Sequence, residues 1–151
     1  MTRTIMPMLL ALALPAGASA SLGGTVATVE ADRVHMKAAL IGITQSGAYT
    51  VHTILSPTGT KIREYYGASG VIFGVAWDGA WQPDLRQLFG SYFDRYQRAL
   101  QGARKARKTR GPVAVDDGTV VVRIGGHLRS VVGVAYVPQL IPAGVDPGVV
   151  K

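Results

Sequence analysis

Two aspartates, Asp78 and Asp84, flank the short stretch Gly79-Ala80-Trp81-Gln82-Pro83, close enough along the chain for both to face one pocket. Paired carboxylates divide acid and base work when their surroundings push their pKa values apart. A third candidate is His127, in Gly125-Gly126-His127-Leu128-Arg129, where a hairpin end would expose the imidazole. Gathered in one cleft, with Arg129 or Arg63 holding an anionic group, the three would suit a small hydrolase-like enzyme. Each carboxylate also has a sufficient structural reason to exist. An Asp before Gly belongs to turn chemistry, and an Asp in a first helical turn favours the positive end of the macrodipole. The structural reading is the stronger one for both.

Other chemistries lack their residues. His35, His52 and His127 sit on separate segments without HExxH-type spacing, and there is no cysteine, so no local metal signature is present. The absence of cysteine also removes a thiol nucleophile and a disulfide scaffold. No G-x-S-x-G elbow, phosphate-cradling loop or dinucleotide fingerprint occurs, and Ser69 between Ala68 and Gly70 reads as a turn residue. No metal or cofactor is expected.

One run carries an electrostatic message. Arg104, Lys105, Arg107, Lys108 and Arg110 place five cations where a helix ends before Gly111-Pro112. Cations complement the dipole there. Their density exceeds that need, which points to an anionic lipid surface, lipopolysaccharide or another acidic partner in the envelope. Nucleic acid is not expected, because an exported chain rarely meets it.

The elements that must position these residues are legible in the periodicity. Residues 49–55 alternate as a strand, Ser56-Pro57-Thr58-Gly59 is a turn, and residues 61–66 return. Residues 71–77 form a third strand with a bulky face (Val71, Phe73, Val75, Trp77) and a slim face (Ile72, Gly74, Ala76) that lets a helix approach. That helix follows Pro83, with Leu85, Leu88, Phe89, Tyr92, Phe93, Tyr96 and Leu100 in one apolar stripe and Asp94 spaced to pair with Arg98. Trp77 and Trp81 are both expected to fill the corner where helix meets sheet. Residues 113–115 lead through Asp116-Asp117-Gly118 into a β-branched strand at 119–124, and Gly125-Gly126 turns the chain into a last strand at 127–136. A short strand is expected at 25–29, residues 34–43 fit either a strand or a helical turn, and 45–47 read as a loop. The sum is an α+β domain: an antiparallel sheet of about five strands with one long amphipathic helix packed on one face.

The N-terminus addresses the chain. Arg3 precedes an apolar run from Ile5 to Ala16, and Ala18 and Ala20 fit a signal-peptidase site, so residues 1–20 are expected to be a signal peptide cut after Ala20. The apolar run is too short to span a bilayer, which needs about 20 apolar residues. Residues 21–137 then form a single domain, and residues 138–151, with Pro138, Pro142 and Pro147, form an extended or frayed tail. The whole chain has 16 Lys and Arg against 9 Asp and Glu; losing Arg3 leaves 15 against 9. A cysteine-free exported domain suits a bacterial periplasm or release from the cell.

Ser21-Leu22-Gly23-Gly24, Ala31-Asp32-Arg33, Tyr49-Thr50-Val51, Ile62-Arg63-Glu64-Tyr65, Val71 to Gly79, Pro83-Asp84-Leu85, Leu88 to Phe93 and Gly126-His127-Leu128-Arg129 follow one another along the chain. In that order they resemble a family of exported bacterial proteins known as domain of unknown function 2844. The resemblance implies export and one domain, and assigns no catalytic residue. A non-enzymatic binding or envelope-associated module is therefore the leading expectation, with the carboxylate and histidine hydrolase as the alternative.

Overall fold

A computed structural model describes residues 22–106 and 111–151. Seven antiparallel strands form one sheet in the order β1-β2-β3-β4-β7-β6-β5. They are β1 (Ala39–Ser46), β2 (Tyr49–Leu55), β3 (Lys61–Gly67), β4 (Ile72–Gly79), β5 (Val113–Asp116), β6 (Val121–His127) and β7 (Ser130–Tyr136). The fold is α+β as expected, but the sheet has seven strands rather than about five. The strands least marked by alternation are the two edges, β1 and the four-residue β5.

The helical run begins with α2 (Leu85–Phe89), turns through a 3-10 segment at Gly90–Tyr92, and continues as α3 (Phe93–Ala106). Its apolar stripe closes one face of the sheet. Leu85, Leu88, Phe89 and Tyr96 pack with Ile54, Ile62, Val75, Trp77, Val122 and Ala135 in the larger core cluster. Burying a side chain of that size contributes about 1.5–3 kcal/mol each. The expected Asp94–Arg98 pair does not form: Asp94 lies 4.0 Å from Arg86, while Arg95 reaches Asp117 in the β5–β6 turn at 3.1 Å.

The expected face pattern of β4 is corrected by one irregularity. Tyr65 pairs with Gly74 but Tyr66 pairs with Ile72, so Phe73 is an extra residue in a bulge. A bulge interrupts the alternation of faces. Ile72, Val75 and Trp77 accordingly join the helix-side cluster, while Phe73 and Ala76 join the opposite one. Bulky and slim residues are thus not sorted by face. Of the slim positions, Ile72 meets the helix side while Ala76 faces away from it. A Cβ at Gly74 would stand 2.7 Å from Val150, so the C-terminal segment, not the helix, is what comes close there.

The segment expected to run extended or frayed is seated on the second face of the sheet. Two 3-10 turns, Pro138–Leu140 and Pro147–Val149, lay Leu140, Ile141, Val145, Val149 and Val150 against Tyr65, Phe73 and Ala76. The Val137 N–H donates to the Phe73 carbonyl at 2.9 Å, and the Tyr65 hydroxyl donates to the main-chain oxygen of Lys151 at 2.7 Å. At the other end of the described chain, Val26–His35 is helix α1, where residues 25–29 were expected to be a strand. Only Thr25 makes a bridge, to Val71. The β6–β7 turn also moves: β6 runs through Gly125-Gly126 to His127, and Leu128-Arg129 make the turn, with Arg129 at φ 61°.

Trp77 shows how tightly the layers are set. It is 1 % exposed. A Cβ at Gly133 on the neighbouring β7 would stand 2.0 Å from its ring. Gly133→Ala is therefore expected to destabilise the protein by about 1–3 kcal/mol through overpacking, read as a lower midpoint in urea. An unchanged midpoint would contradict the seating of this indole.

Candidate functional site

The sheet register assembles a site that no local motif announces. Arg63 pairs with Ala76, Ala76 with Val134, Val134 with Arg123, and Arg123 with Ala114. Residues directly opposite on antiparallel strands share a face, so these five form one row across β3, β4, β7, β6 and β5. A second row two residues along runs Asp78, Val132, Gly125. Ala76 belongs to the core cluster of the second face, so both rows lie on the side away from the helices. The C-terminal segment covers that face over β3 and β4 and leaves it open toward β6 and β5.

A groove of about 500 Å³ occupies the open part. Its floor and walls include Val132, Val134, Ile124, Gly133, Pro112 and Ala114. Arg63 and Asp78 stand at one side, Arg123 at the other, and Lys151 on the rim. Arg63 and Arg123 are three strand spacings apart, roughly 14 Å at about 4.8 Å per strand. The Arg63 guanidinium is committed: Nη1 donates to Asp78 Oδ2 at 2.6 Å and Nε donates to the Lys151 main-chain oxygen at 2.7 Å. Arg123 is exposed and has no hydrogen bond or ion pair among the described residues. Two arginines against one carboxylate, around an apolar floor, favour a ligand with an apolar body and an anionic group.

The three candidate catalytic residues do not share this groove. Asp78 lines it, paired with Arg63. Asp84 is the N-cap of α2, with Oδ1 accepting from the Arg86 N–H at 2.9 Å and the Gln87 N–H at 3.3 Å. His127 ends β6 opposite Ser130, with Nδ1 3.3 Å from the carbonyl oxygen of its neighbour Leu128. Neither Asp84 nor His127 lines the groove. Of the proposed anion holders, Arg63 lines it and Arg129 occupies the hairpin turn. The expected aromatic corner is half present: Trp77 is interior, but Trp81 is 60 % exposed and contributes its main-chain oxygen to the Thr60 hydroxyl at 2.7 Å. Of the basic run, Arg104 and Lys105 are exposed at the end of α3. Arg107, Lys108 and Arg110 fall outside the described residues.

Sequence reasoning missed a polar row on the helix side. Glu64 is fully buried there, registered between His52 on β2 and Val75 on β4. The Tyr66 hydroxyl and His52 Nε2 are hydrogen-bonded at 2.9 Å with the rings edge to face. The alternation of Ile62, Glu64 and Tyr66 was the signal, because it puts the carboxylate on the same face as a core isoleucine. Burial holds the His52 imidazole below the ordinary histidine range. Among the described residues no group of three or more His, Cys, Asp or Glu is placed to hold a metal ion.

Two measurements check these placements. Asp84→Ala is expected to lose about 1 kcal/mol of stability and Asp84→Ser to retain most of it, as for a helix cap; equal losses would argue against capping. The His52 ring is expected to titrate below about 6.5 in an NMR pH series. Its folded pKa is depressed, so its contribution to stability is full above the unfolded value and is lost as pH falls through the folded one. A midpoint at or above 6.5 would contradict its burial.

No curated protein and no solved structure matches the chain. The family model described as "Protein of unknown function (DUF2844)" matches residues 18–150. On that match, over nearly the whole chain, the protein belongs to the DUF2844 family.

Proposed function

We propose that the protein is an exported, non-enzymatic binding module of the bacterial envelope, periplasmic or released, that holds a small apolar-bodied anion on the open face of its sheet. The observation that carries this reading is the groove between Arg63 and Arg123: apolar along its floor, cationic at both sides, and of a size ordinary for small-molecule sites. Arg63 is held in place by Asp78 and the Lys151 main chain, so it is a fixed wall. Arg123 has no hydrogen bond or ion pair among the described residues, and a guanidinium binds carboxylate or phosphate through two parallel N–H bonds.

Export is supported by the charged start, short apolar run and Ala18-x-Ala20 ending of residues 1–20. Among the described residues, no helix is long and apolar enough to cross a membrane. The basic run from Arg104 to Arg110 supports contact with an acidic partner or anionic surface in the same compartment. The separation of Asp84 and His127 from Asp78's groove weighs against the hydrolase alternative.

Calorimetric titration with decanoate, and with 1-decanol as the neutral counterpart, tests the reading. Saturable 1:1 binding of decanoate is expected, weakened about tenfold by Arg123→Gln, a loss of about 1.4 kcal/mol. The alcohol should bind more weakly and should not respond to that substitution. Absence of saturable binding by either compound would overturn the proposed site.

A further inference from the structure

The sheet treats its two edges differently. Edge strand β5 is four residues long, carries Asp116, follows Pro112, and has α3 packed beside it through Val113 and Val115. Short length, charge, proline and a covering helix are the usual ways a protein blunts a strand edge. Edge strand β1 has twice that length, ALIGITQS, and its residues are exposed but for one intermediate position. Leu40, Ile41 and Ile43 are 46 %, 50 % and 58 % exposed, and Leu55 beside them on β2 is 36 % exposed. Among the described residues nothing pairs with the outer side of β1. Its one irregularity is the bulge between Leu40 and Gly42.

Charge narrows what can pair there. From Ala38 to Thr60 the sequence holds no Asp, Glu, Lys or Arg, in a chain whose formal net charge is +7. Two copies of a strongly positive chain repel on approach, and this uncharged hairpin edge removes that repulsion where they would meet. A partner selected by charge finds nothing on β1 to read. An antiparallel edge is also complementary to itself. A two-fold axis perpendicular to the sheet sets β1 beside its own copy with the two helix-side faces on the same side, extending the backbone ladder and packing Leu40, Ile41 and Ile43 against the copy's strand.

We propose that β1 is a self-association edge, and that two copies of this chain join β1 to β1 in antiparallel register as one continuous fourteen-stranded sheet, twice the seven strands of each copy. Such an assembly stops at two. The pairing consumes the open edge of each copy, and β5 is closed. The surface lies on the opposite edge of the sheet from β5 and β6, so it is independent of the groove.

Sedimentation equilibrium of the purified protein over a concentration series tests this, with thermal unfolding to confirm that each variant folds. A concentration-dependent monomer–dimer equilibrium is expected. Ile43→Lys, at a position already exposed, should raise the dissociation constant at least tenfold, whereas Leu128→Lys on the β6–β7 turn should not change it. Because the chain has no cysteine, Ile41→Cys, Ile43→Cys and Gln45→Cys can each be oxidised in turn. A covalent dimer is expected from at least one of these and not from Leu128→Cys. The proposal is overturned by a protein that stays monomeric throughout with no β1 cross-link, or by a dimer indifferent to Ile43→Lys. Assemblies that grow past two copies would overturn it as well, as would a monomer whose β1 pairs instead with a strand of another protein.

Discussion

β4 has no wet face from Ile72 to Trp77, and the rest of the molecule is arranged to keep it dry. A strand at the centre of a sheet buried on both sides needs two covering layers. The helical run from Leu85 to Ala106 supplies one. The other is a short stretch of C-terminal chain that presses Val150 into the space left by Gly74. The bulge at Phe73 makes this division possible, because it sends Phe73 to the C-terminal layer while Ile72 and Val75 stay with the helices. Without the extra residue, strict alternation would have driven a phenylalanine into a helix layer already filled by Trp77 and Phe89, whose ring centroids are 6.0 Å apart.

The groove is a consequence of that economy. Val134 and Tyr136 on β7 still pack against the second-face cluster, while Val132 farther along the same strand is 49 % exposed on the open part of that face. Lys151 stands beside the groove. The Lys151 main-chain oxygen accepts from both Arg63 and Tyr65, so the residues that complete the core on this side also fix the cationic wall of the groove. Stability and the candidate site share the same contacts here. By contrast, Arg123 carries no structural duty among the described residues.

Much of the fold was legible in the sequence, and its failures have particular causes. The stripe from Leu85 to Leu100 and the Asp116-Asp117-Gly118 turn were read correctly because each depends on local chemistry: helical period in one, turn-forming side chains in the other. Asp117 fulfils its part by accepting from the Thr119 and Val120 N–H groups at 3.0 Å. The face assignment of β4 failed because a bulge is fixed by pairing with β3, which period-two reasoning cannot see. β1 stayed open between strand and helical turn for a similar reason, since its own bulge beside Gly42 erases alternation. Gly125-Gly126 looked like a turn, yet it continues β6, and the turn fell to Leu128-Arg129. The groove was invisible because its row joins Arg63 to Arg123 through strands far apart in sequence, and register alone makes them neighbours.

The most direct measurement of this two-layer arrangement is amide hydrogen exchange along β4 and the C-terminal segment. The N–H groups of Val137, Val149 and Val150 are held by the Phe73, Asp146 and Pro147 carbonyls, and Val150 is itself buried against Gly74. If the segment is a structural layer, these amides exchange in the slow class with Ile72 to Trp77, through the same cooperative opening. Exchange of the 137–150 amides at the rate of an unstructured peptide, while β4 stays protected, would contradict it.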